Sequence, residues 1–202
     1  MKSTRGLQQG GSKPQTPMLE FYYSTMQGGK STALLQRRYN LLSIGKRVVV
    51  MTSSCDDRFG VGKVTSRMGP QCDAELFHPD TVFDDSMDLS QVDELFIDEA
   101  QFLGSSQVKQ IHANLCAAHG MRVSCFGLRT DFQGNPFAGA TALLALADSL
   151  HEISTLCRCG SKATMNQRID TSGRPVRQGA VLEIGGGQPI PARLPSLLLL
   201  KH

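Results

Sequence analysis

Residues Phe21 to Ser31 read FYYSTMQGGKS, and the rest of the chain is interpreted from this stretch. The run that leads into it, Leu19-Glu20-Phe21-Tyr22-Tyr23, is apolar and aromatic, as a buried strand requires. Small and glycine residues follow, then Lys30-Ser31, then the helix-forming Thr32-Ala33-Leu34-Leu35-Gln36-Arg37-Arg38. Strand, glycine loop, Lys-Ser and helix is the order of a phosphate-binding loop. The chemistry needs that order. Successive backbone N–H groups and the positive end of a new helix must converge on phosphate oxygens, and bulky side chains would block the approach. Gly28 and Gly29 leave room, Lys30 reaches the terminal phosphates as a point charge, and the Ser31 hydroxyl suits Mg²⁺. The stretch departs once from G-x-x-x-x-G-K-[ST], because Ser24 stands at the first glycine position. An ordinary strand-to-helix turn with a surface lysine is the alternative reading of this stretch alone.

Downstream, the helix should stop near Gly45, and Arg47-Val48-Val49-Val50-Met51-Thr52 reads as a short buried strand. Crossover handedness makes this a βαβ unit in a parallel sheet. Loops that leave the C-terminal ends of such strands line the ligand crevice. In Asp56-Asp57-Arg58-Phe59-Gly60, Arg58 could therefore meet phosphate bidentately and Asp57 could hold it or a metal-bound water; a solvated charged turn fits equally. A short strand is expected near Glu75-Leu76-Phe77.

The second decisive stretch is Glu94-Leu95-Phe96-Ile97-Asp98-Glu99-Ala100-Gln101-Phe102. An apolar strand ending in an acid, downstream of a phosphate loop, supplies the other half of a nucleoside-triphosphate site. Asp98 would help position Mg²⁺, usually through water. Glu99 is the natural base for the group that attacks the γ-phosphate. A coincidental core strand is the bland alternative. Ser105 to His119 then carries Val108, Ile111, Leu115 and Cys116 at helical spacing, with Gly120 at its end. Arg122 to Leu128 reads as a buried strand, and Arg129 to Phe137 as a loop with two aromatic rings. Phe137 to Leu150 reads as a helix, and a last strand is expected around Glu152 to Leu156.

With 202 residues, 40% of them hydrophobic and 19% charged, the chain can bury a proper core. A net charge of +3 gives no reason to expect nucleic acid or a membrane as partner. No apolar run approaches the roughly 18 residues of a membrane span, and no secretory signal is recognisable. Four of the six cysteines, Cys55, Cys72, Cys116 and Cys125, are scattered like reduced thiols, so a cytoplasmic location is expected. Residues 1–17 are polar and read as a disordered leader outside the fold.

Taken together, STMQGGKST, DDRFG, FIDEAQF, GLRTDFQGNPF, a CxC hairpin start and a late IGG resemble the type II thymidine kinases, over roughly residues 19–187. The resemblance implies an α/β fold. Its core would be a P-loop, RecA-like NTPase domain (18–155) with a parallel sheet and helices on both faces. A small lasso and zinc-hairpin domain (156–187) and an atypical tail (188–202) would follow. The implied activity moves the γ-phosphate of ATP, with Mg²⁺, to the 5′-hydroxyl of thymidine or deoxyuridine. Ser24, Thr25, Met26, Gln27, Gly28, Gly29, Lys30 and Ser31 would bind ATP phosphates, with Asp57 and Arg58 beside them. Asp98 and Gln101 would flank the nucleotide, Ser31 and Asp98 would hold Mg²⁺, and Glu99 would be the catalytic base. Phe132 would stack on thymine, and Met26, Leu128 and Phe137 would wall its pocket. Val181, Leu182, Glu183, Ile184 and Gly185 resemble the lasso whose main chain meets the base edge. The family also implies a homotetramer and feedback inhibition by thymidine triphosphate.

The C-terminal part departs from that pattern. Cys157 and Cys159 resemble the first half of a structural Zn²⁺ site, but no second cysteine pair follows IGG, and four ligands are the rule. The aromatic residue expected a few positions after IGG is also absent. Two other functions therefore stay open. Asp98-Glu99-Ala100-Gln101 spells the DEAQ box of nucleic-acid motors, although one domain is too little for a helicase. The altered tail would also suit a catalytically impaired nucleotide-binding paralogue.

Overall fold

The computed structural model describes residues 18–56, 60–157, 159–169, 172 and 174–176. Its centre is a six-stranded parallel sheet built from β1 (Leu19–Ser24), β2 (Val48–Ser53), β5 (Glu75–Phe77), β6 (Glu94–Ile97), β7 (Arg122–Leu128) and β8 (Ser149–Glu152). Their spatial order is β5-β2-β6-β7-β1-β8, so β7 lies between the phosphate-loop strand and the strand that ends in Asp98. The expected α/β architecture is present.

Alternation along the strands sorts side chains onto two faces. Glu20, Tyr22, Phe96, Phe126 and Val50 turn toward helix α1 (Lys30–Ser43), where Leu34 is fully buried among them. Phe21, Leu95, Ile97, Val123 and Cys125 form the opposite core. That face is covered by α2 (Ser105–Gln110), the π-helical turn that continues it (Ile111–Ala118), and α3 (Ala138–Leu146). Val108, Ile111, Leu115 and Cys116 are all buried there, as their spacing predicts. Fully burying one such large side chain is worth about 1.5–3 kcal/mol, so the two clusters hold the sheet between its helices.

Three local expectations needed correction. The last strand of the sheet is Ser149–Glu152, earlier than the Glu152 to Leu156 stretch, and α3 stops at Leu146, not Leu150. The Ala/Leu-rich pattern is locally helical up to Leu150, but Asp148 intervenes. Its Oδ2 accepts the Met18 and Leu19 N–H groups, and Ser149 then pairs beside Glu20 on β1. Sheet pairing outweighs a weak helical preference. The sequence reading also missed the hairpin of β3 (Lys63–Thr65) and β4 (Gln71–Asp73). It packs on α1 through a Thr32–Ser66 hydroxyl contact of 2.6 Å. A second two-stranded ribbon joins β9 (Arg168–Ile169) to β10 (Pro175–Val176). Among the described residues no helix is long and apolar enough to cross a membrane.

Candidate active site

Because the sheet is parallel, its strands deliver their C-terminal ends to one edge, and the candidate residues follow those ends. Beyond β1 the chain turns through Gln27 and Gly29, both left-handed at φ 63° and 80°. Helix α1 then begins at Lys30, with no side chain capping its first N–H groups. The N-terminus of this 14-residue helix is suited to receive an anion. The Lys30 ammonium lies buried and donates to the Thr25 carbonyl at 3.1 Å, which folds it back along the loop.

The serine at the first glycine position now has a structural explanation. Ser24 Oγ donates to the Ile153 carbonyl at 2.6 Å, tying the end of β1 to the chain that leaves β8. The same hydroxyl occupies the space that a side chain at position 28 would need. A Cβ there would lie 1.8 Å from Ser24 Oγ. The essential glycine of this loop is Gly28.

Ser31 and Asp98, far apart in sequence, meet at 2.9 Å, with the Ser31 hydroxyl donating to Asp98 Oδ2. Asp98 Oδ1 is buried and has no hydrogen-bond partner. Burial above all, and then the neighbouring Glu99 charge, push the Asp98 carboxyl up to about 7; Ser31, the Glu99 backbone amide and Lys30 pull the other way. A buried carboxylate oxygen without a partner is costly unless a proton or a cation satisfies it. A hydroxyl and a free carboxylate oxygen, side by side at a helix N-terminus, are hard oxygen donors of the kind Mg²⁺ takes. These two residues fit the ion.

Glu99 follows in a left-handed conformation, φ 51° and ψ 36°, which turns the chain out of β6 into the short 3₁₀ turn Ala100–Phe102. Its carboxylate accepts a hydrogen bond of 2.5 Å from Gln101 Nε2, and Gln101 Oε1 accepts the Leu128 N–H at 3.0 Å. The loop after β7 is organised by Asp131, which is buried and accepts the Gln133 and Asn135 amides at 2.8 and 2.9 Å. Leu128 is buried just before it. Phe132 is half-buried with the Arg168 guanidinium 5.5 Å from its ring centroid, whereas Phe137 packs edge-on against Phe102 at 5.9 Å. Met26 is half-buried, and its N–H donates to Asn166 Oδ1 at 2.8 Å.

The structure thus links Ser31 to Asp98 and Glu99 through Gln101 to Leu128. Asp57, Arg58 and the stretch Val181, Leu182, Glu183, Ile184 and Gly185 lie outside the described residues. Sequence reasoning missed Asn166, which also donates to the Thr130 carbonyl at 3.3 Å and so joins the phosphate loop to the loop after β7. An asparagine distant in sequence and outside any motif gives no local signal of that role.

Cys157 and Cys159 sit in a tight turn. The Cys159 N–H points at Cys157 Sγ at 3.5 Å, and hydrogen bonding, chiefly from the Ser161 backbone, holds the exposed Cys159 thiol below the usual thiol range. Among the described residues no group of three or more His, Cys, Asp or Glu could hold a metal ion. Two cysteines alone do not fit a closed four-ligand zinc site.

A profile of the thymidine kinase family matches residues 17–190. The chain belongs to the thymidine kinase family. It is 48% identical over 169 residues to the thymidine kinase of Chromobacterium violaceum, an alignment covering 83% of this chain and 90% of that one. It is 46% identical over 170 residues to the thymidine kinase of Vibrio parahaemolyticus, covering 82% and 88%. With the thymidine kinase of Albidiferax ferrireducens it shares 42% identity over 182 residues, covering 90% of this chain and 92% of the other. Thymidine kinase membership also answers the DEAQ-box alternative, because Asp98 to Gln101 lie inside the matched region.

Proposed function

We propose that this protein is an ATP-dependent thymidine kinase, transferring the γ-phosphate of ATP to the 5′-hydroxyl of thymidine or deoxyuridine and supplying thymidine monophosphate for DNA synthesis. The observation that carries the proposal is the Ser31–Asp98 contact, with an unpaired buried carboxylate oxygen beside Glu99. Phosphoryl transfer needs positioning and charge stabilisation more than covalent help. The loop from Ser24 to Gly29 and the α1 N-terminus cradle the phosphates, with Lys30 beside them. Ser31 and Asp98 would hold Mg²⁺, which neutralises charge on the phosphate oxygens when bound. Glu99 accepts the proton of the attacking hydroxyl.

Asp57 and Arg58 add phosphate contacts, and Gln101 flanks the nucleotide site. Met26, Leu128, Phe132 and Phe137 would line the acceptor side, and the main chain of residues 181–185 would meet the base edge. The enzyme works as a cytoplasmic homotetramer inhibited by thymidine triphosphate. Family membership supports these last features.

The test is ADP release from Mg-ATP by purified protein with nothing added, with thymidine, with another deoxynucleoside, and with single-stranded nucleic acid. Thymidine-dependent turnover that Glu99→Gln abolishes is the expected result. Stimulation by nucleic acid would overturn the reading. Silence with ATP still bound would leave a nucleotide-binding relative without kinase activity.

A further inference from the structure

Gln101 is 2% exposed, and both ends of its amide are engaged. Oε1 is fixed by the Leu128 N–H at 3.0 Å, so the amide cannot rotate freely, and Nε2 donates to Glu99 Oε2 at 2.5 Å. The surroundings are built around this side chain. A Cβ on Gly127 would lie 2.9 Å from Gln101 Oε1 and 3.0 Å from its backbone nitrogen. From the other side, a Cβ on Gly139 would lie 2.5 Å from the Leu103 carbonyl, 2.8 Å from that of Ala100 and 3.1 Å from that of Gln101. Two glycines, one on β7 and one on α3, thus let neighbouring elements close on the turn that carries Glu99. Glu99 itself sits in a left-handed conformation that a non-glycine residue adopts only when its surroundings hold it there.

From this arrangement we infer that Gln101 is a positioning residue for Glu99: it aims the carboxylate and ties it to the Leu128 amide where the acceptor loop begins. This rests on the kinase reading of Glu99 and deepens it. Through Leu128, the base and the start of the Asp131-organised loop also keep a fixed spacing, and small misplacements of a reacting group cost large factors in rate. In this role Gln101 acts through Glu99.

The test compares wild type with Gln101→Met and Gln101→Glu, measuring kcat, the KM values for ATP and thymidine, and equilibrium ATP binding. The methionine removes both hydrogen bonds; the glutamate keeps an acceptor for the Leu128 amide but replaces the donor with a second acid. Both variants should lose roughly tenfold or more in kcat at neutral pH. The KM values and the ATP affinity should each change less than about threefold, so that the loss falls on kcat. Wild-type kcat in either variant, or a loss that falls on KM and ATP affinity rather than on kcat, would overturn the inference and make Gln101 a packing residue or a nucleotide ligand. Absence of thymidine-dependent turnover in wild type would instead remove the kinase reading beneath it. If the methionine variant fails to fold, the near-isosteric glutamate variant decides the matter.

Discussion

Replacing Gly28 with alanine would bring a Cβ to 1.8 Å from Ser24 Oγ, 2.7 Å from Ser24 Cβ and 3.0 Å from the Thr25 carbonyl oxygen. The hydroxyl can rotate away, but only by giving up its 2.6 Å bond to the Ile153 carbonyl. Ser24 Cβ and the backbone oxygen cannot rotate away, so the loop itself must shift. Overpacking costs about 1–3 kcal/mol, and the lost hydrogen bond adds about 1 kcal/mol. Gly28→Ala should therefore destabilise the protein by roughly 2–4 kcal/mol and weaken ATP binding, because the displaced amides belong to the phosphate cradle. Ser24→Gly removes both side-chain clashes at the cost of the hydrogen bond and of strand rigidity, together about 1.5–2 kcal/mol.

The two changes should then be strongly coupled. The double variant should lie near the cost of Ser24→Gly alone, giving a favourable interaction energy of roughly 2–4 kcal/mol, the size of the Gly28→Ala loss. Urea denaturation of the four proteins closes the cycle, and ATP titration follows binding in parallel. If Gly28→Ala is as stable as wild type, or if the two losses simply add, the steric account of this loop is refuted.

Three further outcomes follow from the site and the core. Glu99→Gln should lower kcat by about 10²–10⁴ while leaving ATP binding largely intact, as measured by ADP release and nucleotide titration. Asp98 has a folded-state pKa raised from the ordinary carboxylate value of about 3.9 to about 7, so the folded state binds the extra proton within that window. Metal-free protein should thus lose up to a few kcal/mol of stability as pH rises from about 4 to 7, and Asp98→Asn should flatten that slope in denaturation curves. Arg37→Met should destabilise by about 3–5 kcal/mol, because it strands the buried Glu20 and Glu94 carboxylates, now paired with Arg37 at 2.8 and 2.9 Å. Its KM values should not change, since Arg37 lies on the α1 face beneath the sheet.

The sequence by itself determined the alternating order of strands and helices, the phosphate loop from Ser24 to Ser31, and the acid pair Asp98-Glu99. These are local patterns: apolar periodicity, glycines where the backbone must turn, and a charge at the end of a buried strand. The strand Arg122 to Leu128 and the helix that buries Val108, Ile111, Leu115 and Cys116 were legible for the same reason. Tertiary structure alone decided what depends on distant segments meeting. It set the strand order that puts β7 between β1 and β6, and it moved the last strand of the sheet to Ser149 because Asp148 binds the start of β1. It joined Ser31 to Asp98, Gln101 to Leu128, and Asn166 to both Met26 and Thr130. It also explained Ser24 at a glycine position, since the partner of that hydroxyl is the carbonyl of Ile153, on a segment that only folding brings alongside.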